Sequence, residues 1–483
     1  MKFLNVGCQL SEDRCSKLLY LIFAPQKNPI KLKTHTIIKF LFLSCTLLFV
    51  AETTAQKSPY DLRKPKGSED VMIGLDGGTF TMGTANDPYG VEDAPPKEVT
   101  IKKFFIDESE VSNKEYRRFV KYVRDSIIRE KLARLALDLG LSKEDEGTIG
   151  MYSFKNPEPD PESVYEKYVY ENYTLFEDDY YESRELDWDI DLKWDPREYV
   201  DQYYLEIMDS MYIDRWDKEW TGVRMIDSRE LKYRYKWFDA KAASKNPKQN
   251  PIDFVREEVV SVYPDTLAWM KDFEYSLNEQ MFTEYFWHEQ YEDFPVVGVN
   301  WEQAKAYCDF KTHAINKNYK KLGKPAVPAF RLPTEAEWEF AARNGDSDLI
   351  YPWEGEDLID KNNGYKANFK PDDGYDADGE VYAAKVKDAK YFHPGSSKLY
   401  HIAGNVAEWT ASTYNQDSYE FTSPLNPNYV DPQNPKKTIR GGSWKDIAYF
   451  LRVSTRDYEH KDSARAYIGF RTVRDYIPPK LDN

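Results

Sequence analysis

The order of apolar and polar positions predicts strands at the start of the folded chain, followed by a helix. Residues 75–83 alternate between apolar and polar side chains around a glycine turn, and residues 99–106 are predicted to form a second strand. Ser112 and Glu115 have the spacing of a capping box, in which the two side chains cap the same helix start. The apolar positions that follow recur at helical spacing on one face: Tyr116, Phe119, Val120 and Val123.

Two later segments carry the same signal for a helix start. Asn300 and Gln303 follow a short apolar strand, and Thr334 and Glu337 precede a helical pattern that ends near Gly345. Cys308 lies in the first of these predicted helices, where we expect it to be a small buried apolar side chain. Helices and strands are therefore predicted to be mixed along the chain.

Between residues 127 and 293 the chain becomes acidic and aromatic. Residues 151–210 contain 18 acidic and 5 basic side chains together with ten tyrosines. Such acidic charge is typical of disordered chain, whereas the recurring aromatic and aliphatic side chains predict an ordered segment packed on its own core. The large apolar side chains of this segment include Trp188, Trp194, Tyr203, Tyr204, Leu205, Met208 and Trp216.

Residues 1–55 are expected to direct export. Lysines precede or edge an apolar run over residues 37–50, and small residues follow it, which is the arrangement of a secretory signal. The run is short for a membrane span, and Lys39 interrupts it. Cys45 is a candidate for lipidation, although the apolar run continues beyond it, where an acylated cysteine is expected to end such a run. Residues 56–70 are expected to form a linker.

Charge and cysteine content exclude several classes of partner and chemistry. The 483 residues carry a formal net charge of −17, which argues against a nucleic-acid partner and suits a cation or a basic protein. Cys8, Cys15 and Cys45 all lie in the leader, so the remainder keeps only Cys308 and has no internal disulfide. The histidines lack the close spacing of a zinc or iron site, and no phosphate-binding glycine loop is present.

Four ordered motifs carry a resemblance to a known family. They are Pro-Val-Val-Gly-Val-Asn-Trp at 295–301, Phe-Arg-Leu-Pro-Thr-Glu-Ala-Glu-Trp at 330–338, Gly-Asn-Val-Ala-Glu-Trp at 404–409, and Ile-Arg-Gly-Gly-Ser-Trp at 439–444, the last completed by Ile-Gly-Phe-Arg at 468–471. In this order they resemble the formylglycine-generating-enzyme (sulfatase-modifying factor) family. That resemblance implies an irregular, loop-rich α+β fold of the C-type-lectin-like kind. The structural motif residues it marks are Arg331, Glu337, Trp338, Arg440, Gly441, Gly442 and Arg471.

The same resemblance argues against the family's enzymatic reaction. The enzymes carry two cysteines shortly after the Gly-Gly-Ser turn, and these hold copper and activate oxygen. Here Asp446 and Phe450 stand near those places, and neither side chain is a soft ligand. The sequence therefore predicts no copper and no catalytic residues.

Calcium is the cofactor that the family resemblance does imply. Hard cations bind carboxylates, side-chain amides and backbone carbonyls, which loops provide. The resemblance places one site at Asn368 and Asp378 with carbonyls near Phe369 and Glu380, and a second at Asn405 and Glu408. The alternative for the second pair is a helix cap, because Asn405 and Glu408 also have capping-box spacing.

Three further stretches resemble the gliding-motility and type IX secretion branch of this family, the GldK/PorK proteins. They are residues 122–127, 259–269 and 285–288. This resemblance implies a non-catalytic, periplasmic part of a multimeric ring at the outer membrane, bound to other secretion proteins. The alternatives are an enzyme of the same fold with another metal site, and an exported carbohydrate- or peptide-binding module.

The predicted organisation follows from these observations, and its main consequence concerns the insertion. We expect the insertion to carry assembly contacts, with Glu177, Asp178 and Asp179 steering a basic partner. The predicted segments are the signal 1–55, the linker 56–70, the first part of the core 71–126, the insertion 127–293, the second part of the core 294–475 and the tail 476–483.

Overall fold

The computed structural model describes most of the chain after the leader, within one compact unit, Leu62–Asn483. The described residues are 72–155, 184–213, 225–272, 284–360, 364–371, 383–388 and 398–478. The predicted signal, the linker and Glu177, Asp178 and Asp179 lie outside them. Among the described residues, no helix combines the length and apolar character needed to cross a bilayer.

Helices and strands are mixed along the chain, as expected for an α+β protein. The helices are α1 Asn113–Asp138, α2 Gln202–Ser210, α3 Ala240–Lys245, α4 Ala268–Asp272, α5 Trp301–Lys321, α6 Glu335–Arg343 and α7 Ser418–Phe421. The strands are β1 Met72–Leu75, β2 Gly78–Met82, β3 Lys97–Ile101, β4 Phe104–Asp107, β5 Lys232–Phe238, β6 Val255–Ser261, β7 Phe330–Arg331, β8 Ile359–Asp360, β9 Gly364–Tyr365, β10 Ala407–Thr413, β11 Lys436–Arg440, β12 Asp457–His460, β13 Ile468–Gly469 and β14 Val473–Asp475. Short 3₁₀ turns include Ile149–Tyr152, Pro196–Glu198, Ser228–Glu230, Pro251–Phe254, Glu289–Tyr291 and Ala448–Leu451.

The three predicted helix starts are confirmed. Ser112 begins α1, Asn300 begins α5 and Thr334 begins α6, and each forms a complete reciprocal capping box with the glutamate or glutamine three residues later. Helix α6 ends beside Asn344, which has a left-handed φ of 50°, and Gly345, whose φ is 76°. Local side-chain chemistry thus sets these helix boundaries, as the sequence predicted.

Two four-stranded sheets form the framework. One has the order β1-β4-β14-β7 and is antiparallel, and the other has the order β12-β11-β10-β13, with β10 and β13 parallel. Strand β2 pairs with β3 in a separate two-stranded sheet. The chain therefore brings β14, close to its carboxyl end, between strands from its beginning and its middle.

The prediction of strand boundaries between residues 75 and 106 is wrong at one point. The expected second strand at 99–106 is two strands, β3 and β4, which are interrupted at Lys102 and Lys103 and pair with different partners. The glycine turn at Gly77 connects β1 and β2, which belong to different sheets. A side chain at Gly77 would place its Cβ 2.3 Å from the carbonyl oxygen of Ile101, so this close backbone approach requires glycine.

The described part of the acidic segment shares the main core, so the expectation of a separate core is wrong for it. Its buried apolar side chains pack in the same cluster as α1, α5 and the carboxyl-terminal strands. Helix α1 itself continues to Asp138, beyond the point where the insertion was predicted to begin. The insertion residues of this shared cluster include Leu192, Tyr204, Met208, Leu231, Tyr235 and Val262.

Candidate functional site

Helix α6 presents three glutamates to arginines, two of which, Arg440 and Arg456, come from a distant part of the chain. All three glutamates are buried, so each carboxylate needs a charged or hydrogen-bonding partner. Glu337 accepts two hydrogen bonds of 2.7 Å from the guanidinium of Arg331, in two-pronged geometry. The ion pairs are Glu335 with Arg456, Glu337 with Arg331, and Glu339 with Arg343 and Arg440.

Arg440 connects this helix to the loop that follows β11. Its side chain is 1% exposed and pairs with Glu339. It also donates to the backbone carbonyls of Val453 at 2.7 Å and Thr455 at 2.8 Å. Arg440 therefore connects helix α6 to residues 453–455 at the end of that loop.

Arg471 forms a second buried ion pair with Glu408. The guanidinium Nε and Nη2 donate to the two carboxylate oxygens, with distances of 2.7 and 2.6 Å. The indole Nε1 of Trp338 donates to the same carboxylate at 2.8 Å. Three of the recognised motifs thus meet at one buried carboxylate.

The turn at Gly441 and Gly442 requires glycine at both positions. Their φ angles are 93° and 67°, and a Cβ on Gly442 would lie 2.9 Å from backbone atoms of Phe450. The Gly441 carbonyl accepts a hydrogen bond of 2.9 Å from the Gly404 backbone, and the Asn405 carbonyl accepts one of 2.9 Å from Trp444. The turn is thereby fixed against the Gly404–Asn405 loop.

Asp446 follows the Gly441–Gly442 turn and is hydrogen-bonded to its neighbours. Its carboxylate accepts hydrogen bonds from the Ser443 hydroxyl at 2.7 Å and the Lys445 ammonium at 2.5 Å. Asp446, Phe450 and Asp457 help to line a cavity of about 10 Å³, which is room for about one water molecule. Burial raises the pKa of Asp457 to about 6, and the nearby negative charge of Asp446 adds to the rise.

The described part of the chain offers no soft-metal site. Cys308 lies inside α5 and is buried, and this burial raises the pKa of its thiol to about 12. A thiol that stays protonated at neutral pH is neither a good nucleophile nor a good metal ligand. Within the described ranges, no group of three or more histidine, cysteine, aspartate or glutamate side chains is arranged to hold a metal ion.

The structure brings Asn368 and Asn405 together. The Asn405 backbone donates to the Asn368 carbonyl at 2.7 Å, and the Asn405 side-chain oxygen accepts from the backbone of Ala384 at 2.7 Å. Asn405 also donates to Glu110 at 2.9 Å, in a backbone conformation with φ of 65°. Phe369 is buried in a small apolar cluster beside them. The loop asparagines predicted for two calcium sites thus share one location.

Glu408 does not fit a calcium ligand in this arrangement. Arg471 and Trp338 occupy its carboxylate, and a cation there would have to compete with the guanidinium. The capping alternative is also wrong, because strand β10 and not a helix follows Asn405. Asp378 and Glu380 lie outside the described residues. Calcium at Asn368 and Asn405 remains a prediction.

Glu110 is a buried carboxyl group at this location that the sequence reasoning missed. It is 1% exposed, and burial raises its pKa to about 8. One of its oxygens accepts from Asn405, and the other has no hydrogen-bond partner in the described structure. The sequence signal was weak, because Glu110 sits between β4 and α1, outside any helical or strand periodicity.

Comparison with known proteins confirms the family resemblance. A family model described as "Sulfatase-modifying factor enzyme 1-like domain" matches residues 59–476. The "Formylglycine-generating enzyme" of Bos taurus is 31% identical over 191 residues, covering 38% of this chain and 45% of the relative. The "Inactive C-alpha-formylglycine-generating enzyme 2" of Bos taurus is 34% identical over 189 residues, covering 37% of this chain and 50% of the relative.

The chain spans about half the length of these curated relatives. The solved structure of PvdO from Pseudomonas aeruginosa matches with a TM-score of 0.39 and 17% identity, covering 84% of this chain and 94% of that one. Of the two bovine relatives, one is named as an enzyme and the other is named as inactive. Neither carries a name that refers to secretion or gliding, so that finer assignment stays a prediction.

Proposed function

The chain belongs to the sulfatase-modifying factor enzyme 1-like domain family, and from this premise we propose that it is a non-catalytic scaffold of the type IX secretion and gliding-motility machinery. In this proposal the protein is exported and acts at the periplasmic face of the outer membrane. It belongs to a multimeric assembly with other secretion proteins and binds no nucleic acid.

The observation that carries the proposal is the chemistry after the Gly441–Gly442 turn. Copper-dependent oxygen activation requires two thiolates there, because a soft metal that handles oxygen needs soft ligands. The chain offers Asp446 instead, and its carboxylate is engaged by Ser443 and Lys445. Cys308, the cysteine outside the leader, is a buried residue of α5. The family fold is retained, and no cysteine stands among residues 445–450 after the turn.

The ion-pair network supports a structural role for the retained motifs. Arg440, Arg456 and Arg471 are all buried and paired with glutamates, so these positions already have a role in holding the loops. Such a network rigidifies a loop-rich fold, whether or not it also supports catalysis. An inactive relative of similar identity is compatible with loss of the reaction on this framework.

The secretion role rests on the sequence resemblance of residues 122–127, 259–269 and 285–288 and on the signal-like residues 1–55. The described insertion adds an acidic surface with exposed aromatic side chains, of which Trp194 is 37% and Tyr203 is 42% exposed. Aromatic side chains supply anchors at protein interfaces, and carboxylates orient a basic partner. A scaffold needs surfaces of this kind.

The proposed loss of catalysis is tested by supplying copper, oxygen and a cysteine-containing sulfatase peptide to the purified chain. We expect no aldehyde above a control without protein. The bovine formylglycine-generating enzyme serves as the positive control. Aldehyde formation by this chain, abolished when Asp446 or Asp457 is replaced by asparagine, would favour an enzyme that uses a carboxylate site instead.

A further inference from the structure

The β5–β6 hairpin lies against helix α5 by one face. Tyr233 of β5 donates its hydroxyl hydrogen bond to Asp309 of α5 at 2.8 Å. Lys305 of the same helix donates to the Glu258 carboxylate of β6 at 3.1 Å, and the indole of Trp237 donates to that carboxylate at 2.8 Å. These contacts fix the hairpin in place on α5 through the side chains of one face.

The outer edge of β6 carries backbone groups that point away from β5. The Val262 N–H donates to the Leu231 carbonyl at 2.9 Å, and the Asp239 N–H donates to the Phe254 carbonyl at 2.8 Å. These two bonds identify the hydrogen-bonded pairs of the antiparallel ladder, which alternate with non-bonded pairs. The residues of β6 in the non-bonded pairs direct their backbone groups outward, and they include Val255, Glu257 and Val259.

This outer edge is exposed and regular. The Val255 N–H donates to the Ile252 carbonyl, whereas the outward groups of Glu257 and Val259 meet no backbone group of another described segment. Val259 is 53% exposed, and the side chain of Arg256 is 49% exposed. The strand has seven residues and no proline. An edge of this kind is a template for pairing with another strand.

The residues along this edge are complementary to themselves. Residues 255–259 read Val-Arg-Glu-Glu-Val. When two copies run antiparallel with Glu257 opposite Glu257, each Arg256 stands opposite Glu258 of the other copy. Val255 then stands opposite Val259. Opposite charges and β-branched side chains are both favourable as cross-strand pairs, so four of the five pairs in this register favour association.

We propose that the outer edge of β6 pairs with the same edge of a second copy of this chain, in antiparallel register about Glu257. The outward groups of Glu257 and Val259 then enter bonded pairs, and Arg256 and Glu258 form non-bonded pairs, in which side chains approach most closely. Lys236 lies 3.4 Å from Glu257 in its own chain and offsets the repulsion between the two central glutamates.

The contact uses the same surface on both copies, so it closes on itself and gives a dimer. The proposal rests on the proposed scaffold function for its biological purpose only. Its physical basis is the exposed edge and the register of β6. Other surfaces of the chain stay available for the remaining contacts of an assembly.

Cysteine replacement tests the register directly, in the full chain with Cys8, Cys15 and Cys45 replaced by serine. Glu257→Cys brings two Cα atoms to about 5.5 Å across the bonded pair, within the range of a disulfide, so we expect a disulfide-linked dimer on mild oxidation. Val259→Cys is the matched control on the same exposed edge. Its two copies are separated by four residues, about 14 Å, so it should cross-link at least about tenfold more slowly.

Charge reversal tests the cross-strand pairs. Arg256→Glu places two carboxylates opposite one another at both ends of the register, so we expect self-association to weaken at least about tenfold in sedimentation velocity. Arg197→Glu makes the same change in net charge at a side chain that is 88% exposed and lies outside the hairpin. This control should associate like the wild type, and both variants should retain the wild-type melting temperature.

The proposal is overturned if the wild-type chain stays monomeric, if Glu257→Cys and Val259→Cys cross-link at equal rates, or if the two arginine variants associate equally. A monomeric chain whose β6 amides gain protection from hydrogen exchange only with another protein would also overturn it, because the edge then pairs with that protein. A monomeric chain that still co-purifies with secretion proteins leaves the proposed scaffold function standing, so the two failures are distinguishable.

Discussion

At the residue scale, the buried ion pair with Arg471 favours a structural role for Glu408 over a calcium-binding role. Both carboxylate oxygens receive hydrogen bonds from the guanidinium, within a core where neither group meets water. Removing the charge of one partner leaves the other buried and uncompensated, which is far more costly than losing an exposed pair.

We expect Glu408→Gln to lower the free energy of unfolding by about 3–5 kcal/mol, measured by urea denaturation. The matched control is Glu257→Gln on β6, where an exposed pair with Lys236 contributes less than about 1 kcal/mol. Equal, small losses in the two variants would contradict the assignment of Glu408 to the buried pair.

Calcium at Asn368 and Asn405 is tested by chelation. Ligand that binds only the folded state stabilises it by about 2.7 kcal/mol at a hundredfold excess over Kd, so a chelator should lower the melting temperature if calcium binds. Because Glu408 bonds to Arg471, we expect the same chelator shift in Glu408→Gln as in the wild type. If the chelator lowers the melting temperature of the wild type but not of this variant, Glu408 is a calcium ligand. If it changes the melting temperature of neither protein, calcium does not bind at this location.

Asp457 gives a pH-dependent prediction with a definite sign. Its pKa rises from 3.8 to about 6, so the folded state binds a proton more tightly than the unfolded state. This group therefore costs no stability below about pH 4, and its cost grows as the pH rises towards 6 and is complete above it. We expect Asp457→Asn to stabilise the protein by up to about 3 kcal/mol at pH 7 and not at pH 3.5.

The measurement for Asp457 is thermal or urea unfolding across this pH range. Asp446→Asn is the control, because the Asp446 carboxylate accepts bonds from Ser443 and Lys445, and its loss should destabilise the protein at pH 7. If Asp457→Asn destabilises the protein at every pH, the Asp457 carboxylate has a stabilising partner, which contradicts burial as the dominant influence on its pKa.

The sequence revealed the residue-scale chemistry only in part. The i,i+4 spacing of Glu339 and Arg343 makes their ion pair predictable within α6. The pairing of Arg440 with Glu339 joins residues 101 positions apart, and no local rule selects it. Glu110 was missed for the same reason, since its partner Asn405 lies 295 positions away.

At the element scale, the Gly441–Gly442 turn offers the sharpest mutational test. Gly442→Ala introduces a left-handed alanine and a Cβ 2.9 Å from the Phe450 backbone, whereas Gly355, with φ of 78°, has open space around it. Both alanines carry the conformational cost of about 1–2 kcal/mol. Only Gly442→Ala adds a clash, for which we expect about 1–3 kcal/mol more by urea unfolding. If both variants lose the same free energy of unfolding, the backbone at Phe450 moves to accommodate the added Cβ.

Helix starts were predictable, and strand partners were not. The capping boxes at Ser112, Asn300 and Thr334 are local, so three or four residues are enough to identify them. Strand β14 pairs with β4 and β7, although Val473 lies 367 residues from Ile106 and 142 residues from Arg331, and the sequence offers no alternation pattern that selects these partners. This is why the strand at 99–106 was predicted as one element although it contributes to two sheets.

At the scale of the whole molecule, the described insertion shares the largest apolar cluster with part of the family core. Met208 of α2 is fully buried in the cluster that also contains Val123 of α1 and Phe470. An acidic composition predicted either disorder or a separate core, because composition does not show which distant surface an aromatic side chain packs against. We expect cooperative unfolding of the two parts in a single transition.

Met208→Ala tests this shared core. We expect the whole unfolding transition to shift by about 2–5 kcal/mol, with near-ultraviolet and far-ultraviolet circular dichroism changing together. Met225→Ala is the control, because that side chain is 45% exposed and should change stability little. Two separate transitions, of which only one responds to Met208→Ala, would show that the insertion folds on its own.

We propose that the fold this chain shares with an enzyme family serves here as an assembly scaffold. The most direct measurement is affinity purification of the tagged full chain from detergent-solubilised native envelopes, followed by mass spectrometry and metal analysis. We expect secretion and gliding proteins to co-purify with the chain, and we expect no copper to do so. Recovery of the chain alone, with a stoichiometric transition metal bound, would contradict it.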